Sequence, residues 1–174
     1  VLVFLFVICF IAVAGAAAGF FVSVSSHLPD VAGNITPNAS SRIYDDKGRL
    51  ITTVHAEENR IPVPISQVPQ NLQNAFVAAE DVRSTITQQL ARNAFLTQEQ
   101  TLKRKLLEVV LAFEIESKYT KKQILEMYMN QIYFGQGCYG IQTAAHVYFG
   151  KDVKDLSLSQ CAMLAGLPNS PNYY

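Results

Sequence analysis

The first 24 residues carry no charge. From Val1 to Val22 only alanine and glycine interrupt a run of large apolar side chains and one cysteine. Roughly 20 apolar residues are enough to cross the hydrocarbon core of a bilayer as a helix. The chain is therefore expected to divide into a transmembrane anchor at 1–24 and a body outside the bilayer. Ala16-Ala17-Ala18 allows a second reading, a cleavable signal segment, but the apolar region of such a segment runs only about 7–15 residues. The flank before Val1, which would set orientation by its basic residues, is not part of the sequence.

Beyond the anchor about 150 residues remain, enough for one domain with its own core. Formal net charge is zero, so bulk electrostatics gives no reason to expect a nucleic-acid partner. Cys9, Cys138 and Cys161 form no C-x-x-C, and His27, His55 and His146 are scattered. Neither a disulfide framework nor a zinc site is expected. Ser23 to Ser41 is rich in Ser, Pro, Asn and Gly and reads as a linker. Asp45-Asp46-Lys47-Gly48 lies between two β-prone runs and predicts a hairpin. The linker and hairpin together span 25–68, and the third segment, 69–174, reads as a helical catalytic domain.

Helical signals begin at Pro69. Leu72, Ala75, Phe76 and Ala79 share one face of a helix expected to end near Asp81. Thr85/Gln88, Thr97/Gln100, Thr120/Gln123 and Ser157/Gln160 have capping-box spacing ahead of apolar-periodic runs. One helix is expected from Gln98 to Ser117, with Leu102, Leu106, Val109, Val110 and Phe113 inward. Another starts at Lys121 and buries Ile124, Leu125, Tyr128 and Ile132. Helices through Ala144 and Ala145 and from Leu158 to Leu167 follow.

Three groups of residues have the makings of a site. Glu80-Asp81 falls at a helix C-terminus, where the helix dipole and like-charge repulsion both raise a carboxylate pKa toward the range useful for proton transfer. The same dipeptide also fits an exposed acidic helix end. Ser84 to Asn93 is crowded with hydroxyls and amides, and Gln88, Gln89 and Arg92 have the spacing of one helix face. Such a face suits sugars or phosphates, or plain solvent. Arg104 and Lys105 precede Glu108 by four and three residues, so all three project together. They make either a surface ion pair or a cationic pocket for a diphosphate. From Ser84 to Lys122 seven Lys/Arg face four acids, which favours an anionic ligand.

Glu80-Asp81, Ser84-Thr-Ile-Thr-Gln-Gln, Arg104-Lys-Leu-Leu-Glu108 and Ile124-Leu-Glu-Met-Tyr-Met-Asn130, with Tyr133-Phe-Gly-Gln-Gly after them, occur in that order. In this combination the chain resembles the family 51 peptidoglycan glycosyltransferases. These are the polymerase module of class A penicillin-binding proteins and the monofunctional transglycosylases. Leu164 to Pro171 is similar to that family's last motif. The resemblance implies an all-α, lysozyme-like fold with a small membrane-facing lobe. It implies polymerisation of lipid II into β-1,4-linked glycan with inversion and release of undecaprenyl diphosphate. Glu80 would be the base for the acceptor 4-hydroxyl, and Glu108 would stand on the donor diphosphate side. Arg92, Arg104 and Lys105 would stabilise the diphosphate. Asp81, Ser84, Thr85, Gln88, Gln89 and Asn169 would line the sugar and phosphate sites. A divalent cation, Mg or Mn, with Glu108 as its ligand, is the one cofactor it allows.

The implied partners are lipid II, the growing strand, membrane lipid, moenomycin-type inhibitors, other cell-wall synthesis proteins and a transpeptidase domain in the same chain. The implied location is the bacterial cytoplasmic membrane, single-pass, with the catalytic domain on its outer face. Two departures stand out. Arg83 abuts Ser84 where the family carries a long segment, so a mobile, membrane-facing loop is expected between them. Gln100 stands where many relatives carry a cation. Two other readings fit the residues taken alone: a lysozyme-type muramidase using two carboxylates, and a non-catalytic membrane-tethered scaffold.

Overall fold

The computed structural model describes residues 41–54, 59–80, 85–96 and 101–171, with scattered positions before 41. The anchor expected at 1–24 falls largely outside the described residues. Phe4, Phe10 and Val22, which are described, are helical and exposed. Among the described residues no helix is long and apolar enough to cross a membrane.

The body is mostly helical. Among its described residues six α-helices run α1 Gln70–Glu80, α2 Ile86–Phe95, α3 Leu102–Lys118, α4 Lys121–Gln131, α5 Ile141–Phe149 and α6 Leu158–Gly166. Strands β1 Ser41–Tyr44 and β2 Leu50–Val54 form the hairpin, pairing antiparallel with a bulge at Ile43/Tyr44. Its turn closes on Asp45, whose Oδ1 accepts the Lys47 and Arg49 amides at 3.0 and 2.7 Å. Gly48 takes the positive φ of 75° that this turn needs. Two-residue strands β3 Asn59–Arg60 and β4 Cys138–Tyr139 pair in parallel.

Helix starts follow the hydroxyl side chains. Thr120/Gln123 and Ser157/Gln160 form reciprocal capping boxes, and Thr85 accepts from the Gln88 amide. The start of α3 differs from expectation. Thr97 to Gln100 lie outside the described residues, and Thr101 is the cap, accepting from the Arg104 amide.

Around Tyr128 the core is aromatic. Phe76 of α1 stacks edge-on against Tyr128 of α4 and Phe134 at 6.2 and 6.0 Å between ring centres. Leu72 of α1 joins them, and Leu90, Leu111, Ile115, Ile141 and Leu164 bring in four further helices, α2, α3, α5 and α6. α2 packs on α3 and α4, and α1 on α6.

The face of α3 corrects the sequence reading. Leu102 is 86% exposed and Phe113 73% exposed, and Leu106 also faces out. The buried stripe is Glu108, Leu111, Ala112 and Ile115. The helix is turned so that its motif glutamate, and not its most apolar stripe, faces the interior.

Candidate active site

Glu80 is the last residue of α1, and no basic side chain occupies the final turn of that helix. The negative end of the α1 dipole is therefore uncompensated by its own sequence at that point. The Glu80 side chain, Asp81 and Ser84 lie outside the described residues. Beside α1 runs an open groove of about 410 Å³, walled by Gln70, Asn74 and Val77 of α1, by Thr85 and Thr87 at the start of α2, and by Lys122.

The second carboxylate is well defined. Glu108 is 1% exposed. Lys105 Nζ stands 2.8 Å from its Oε2, and Arg104 Nε stands 3.3 Å from its Oε1. Neither Arg104 Nε nor Glu108 Oε1 has a hydrogen-bond partner, so the guanidinium faces the carboxylate without aligning on it. Lys105 is half exposed, while Arg104 is 18% exposed. One buried negative charge thus carries two cations, and the cluster is net positive. It is shaped to receive an anion at the solvent side.

That balance speaks against a metal seat. A divalent ion prefers several oxygen ligands, and Glu108 offers one carboxylate already flanked by two cations. Among the described residues no group of three His, Cys, Asp or Glu could hold a metal. The described residues around Glu108 do not by themselves fit a protein-held cation.

The polar start of α2 divides. Gln88 and Arg92 are half-buried, and Arg92 occupies the last turn of α2. Gln89 does not share their open side. It is buried, and its Oε1 accepts from the Tyr128 hydroxyl at 3.3 Å. Thr85 is exposed and caps the helix. Asn169 is exposed in a short 3-10 turn, Leu167–Asn169, just beyond α6.

Residues left unassigned by sequence reasoning hold these parts together. Asn130 Oδ1 accepts the Val63 amide at 3.0 Å, and its Nδ2 donates to the Val63 carbonyl at 2.8 Å. Glu126 Oε2 accepts the Ile65 amide at 2.6 Å. The Ile124-to-Asn130 motif is therefore a clamp on the extended segment that leads into α1 and Glu80. The signal was a polar residue among apolar ones on a buried helix face, which needs a partner. Glu116 of α3 joins three helices: it accepts from Thr87 at 2.8 Å and from Lys121 at 2.7 Å.

Residues 84–174 match the family profile described as Transglycosylase, which takes in just over half of the sequence. The chain belongs to the transglycosylase family. Among curated relatives it is 43% identical over 186 residues to penicillin-binding protein 1A of Aquifex aeolicus (strain VF5), covering 89% of this chain and 26% of that protein. It is 42% identical over 166 residues to penicillin-binding protein 1F of Bacillus subtilis (strain 168), covering 79% and 23%. A solved structure of penicillin-binding protein 1A from Haemophilus influenzae aligns with a TM-score of 0.44 and 32% identity, over 79% of this chain and 15% of that one. The chain spans about a quarter of the length of the curated relatives it matches.

Proposed function

We propose that this chain polymerises lipid II into glycan strands with inversion at the anomeric carbon. The observation that carries the reading is the buried Glu108 with Arg104 and Lys105 upon it, in a chain of the transglycosylase family. The acceptor's 4-hydroxyl loses its proton to Glu80 as its oxygen bonds to the donor's anomeric carbon. The bond from that carbon to the diphosphate oxygen breaks on the opposite face. The departing diphosphate needs positive charge and no proton, which Arg104, Lys105 and Arg92 supply. Glu108 keeps the two cations on its own helix oriented toward that charge. Thr85, Gln88, Ser84, Asp81 and Asn169 serve as hydrogen-bonding groups for sugar and phosphate, and Gln89 acts by holding Tyr128.

The same proposal places the body, in a lysozyme-like arrangement with a small membrane-facing lobe, on the outer face of a bacterial cytoplasmic membrane. The uncharged run at 1–24 anchors it there. A loop belongs at the Arg83–Ser84 junction. In its support, the Aquifex alignment spans 186 residues for 89% of a 174-residue chain, so that relative carries residues this chain lacks. The family match also begins at Ser84. Moenomycin-type phosphoglycolipids, as diphosphate-like mimics of the growing chain, compete for the cationic pocket.

The test is polymerisation of labelled lipid II by this protein and by Glu80→Gln. Loss of a general base costs about 10²-fold or more in rate, with an unchanged melting temperature. Full activity of Glu80→Gln refutes the base assignment. Release of fragments from finished glycan, with no polymer from lipid II, establishes the muramidase instead.

A further inference from the structure

Val31 and Ile35 belong to the part of the chain that reads as linker, yet both are buried in the main hydrophobic core. Each is also held by its backbone carbonyl. The Tyr119 hydroxyl donates to the Val31 carbonyl at 3.4 Å, and Gln131 Nε2 donates to the Ile35 carbonyl at 2.6 Å. Tyr119 caps the C-terminus of α3, immediately before α4, and Gln131 is the last residue of α4. The two holding points therefore lie at opposite ends of α4. Only three residues of sequence separate two buried apolar anchors, each bonded through its carbonyl. A solvated tether needs neither feature.

We propose that Val31 and Ile35 strap the chain to the two ends of α4 and so fix the height of the catalytic body above the bilayer. The argument is one of reach. Only six residues, seven steps of the chain, lie between Val24, where the expected anchor ends, and Val31. At full extension they span at most about 25 Å. Without the strap, the next described tie to the helical body is at Asn59, paired with Cys138. A tether of that length, fully extended, would reach roughly 120 Å. The effective concentration of a tethered site at a surface falls steeply with tether length. A substrate confined to the bilayer is therefore presented by the strap, while one free in solution is indifferent to it.

The consequence for turnover rests on the glycosyltransferase reading. The height of the body does not, and the experiment separates the two. Tyr119→Phe with Gln131→Met removes both donors and keeps the side-chain shapes, so packing of α3 and α4 is retained. Ile35→Ala is a second, independent way to loosen the strap. The whole chain is reconstituted in vesicles, and amide exchange at residues 31–37 is followed. Exchange is expected to speed by about tenfold when one buried hydrogen bond is lost.

Energy transfer from a dye at exposed Ser159 to labelled lipid head groups is expected to report a longer, broader distance distribution in the variants. Turnover of bilayer-embedded lipid II is expected to drop several-fold, with turnover of a short-chain, water-soluble analogue unchanged. Unaltered exchange and an unaltered distance distribution in both variants overturn the strap. So does an equal loss on the two substrates. If the unaltered protein turns over neither substrate, the glycosyltransferase reading fails, and exchange and distance still decide the strap.

Discussion

Arg104 and Lys105 touch the same carboxylate from different surroundings. Arg104 is mostly covered and faces an oxygen that has no other partner, whereas Lys105 is 51% exposed and bonds its oxygen directly, at 2.8 Å, from the solvent side. An exposed ion pair contributes little because water screens it, and a covered one cannot be broken without stranding a charge. Arg104→Ala should therefore lower unfolding free energy by about 2 kcal/mol, and Lys105→Ala by less than about 1 kcal/mol. Urea titrations of both variants decide this, and equal losses would mean that Arg104 has no special place. Backbone geometry sets a second residue-scale limit. Gly140 has φ 82°, and a Cβ there would lie 2.8 Å from the Asn130 carbonyl oxygen. Gly140→Ala forces both a left-handed alanine and a shift of the α4 end, and should cost about 1–3 kcal/mol. A thermal melt of Gly140→Ala matching the parent would sink that estimate.

Among the elements, α3 shows where sequence pattern stops being sufficient. Two stripes on it have helical spacing. One is Leu102, Leu106, Val109 and Phe113, and the other is Glu108, Leu111, Ala112 and Ile115. Hydrophobicity alone selects the first, because the second contains a glutamate. The fold buries the second, since Arg104 and Lys105 come with Glu108 and lower the cost of taking it inside. Leu111→Ala should then cost about 2–4 kcal/mol as a cavity substitution, and Phe113→Ala no more than about 0.5 kcal/mol. Denaturant melts with the reverse order would restore the sequence assignment.

Other elements were legible because their signals are local. Thr120/Gln123 and Ser157/Gln160 close their own helix starts within four residues, and Asp45 to Gly48 closes its own turn. What was not legible depends on partners distant in sequence. Gln89 turns to Tyr128, Asn130 to Val63 and Gln131 to Ile35. No spacing rule within one helix specifies such pairs. The charged part of the site, Arg104, Lys105 and Glu108, was readable for the opposite reason: it lies on a single turn of one helix.

At the scale of the whole molecule, three helices meet at one carboxylate. Glu116 of α3 accepts from Thr87 in the first turn of α2 and from Lys121 at the start of α4. The Lys121 bond, with Thr87 beside it, holds the Glu116 carboxyl below the ordinary glutamate range. A carboxylate whose pKa is depressed by folding stabilises the fold above its unfolded pKa. That contribution fades as pH falls through the folded value, because the unfolded chain then takes up the proton more readily. Asp152, lowered by its bond with His146 and then by Gln142, acts with the same sign. The parent protein should therefore lose stability on acidification from both groups. Glu116→Gln keeps an acceptor for Thr87 and removes the charge facing Lys121. It should melt below the parent at neutral pH, and the gap should close as pH passes below the ordinary glutamate range. Asp152 titrates in both proteins, so the difference between their melting curves isolates Glu116. Thermal melts across that range, repeated at high salt, read the gap directly. Because Glu116 is an exposed group, salt should shrink the gap at neutral pH. A gap that stays constant from neutral to acid would show that Glu116 joins the helices by packing and shape, with its charge playing no part.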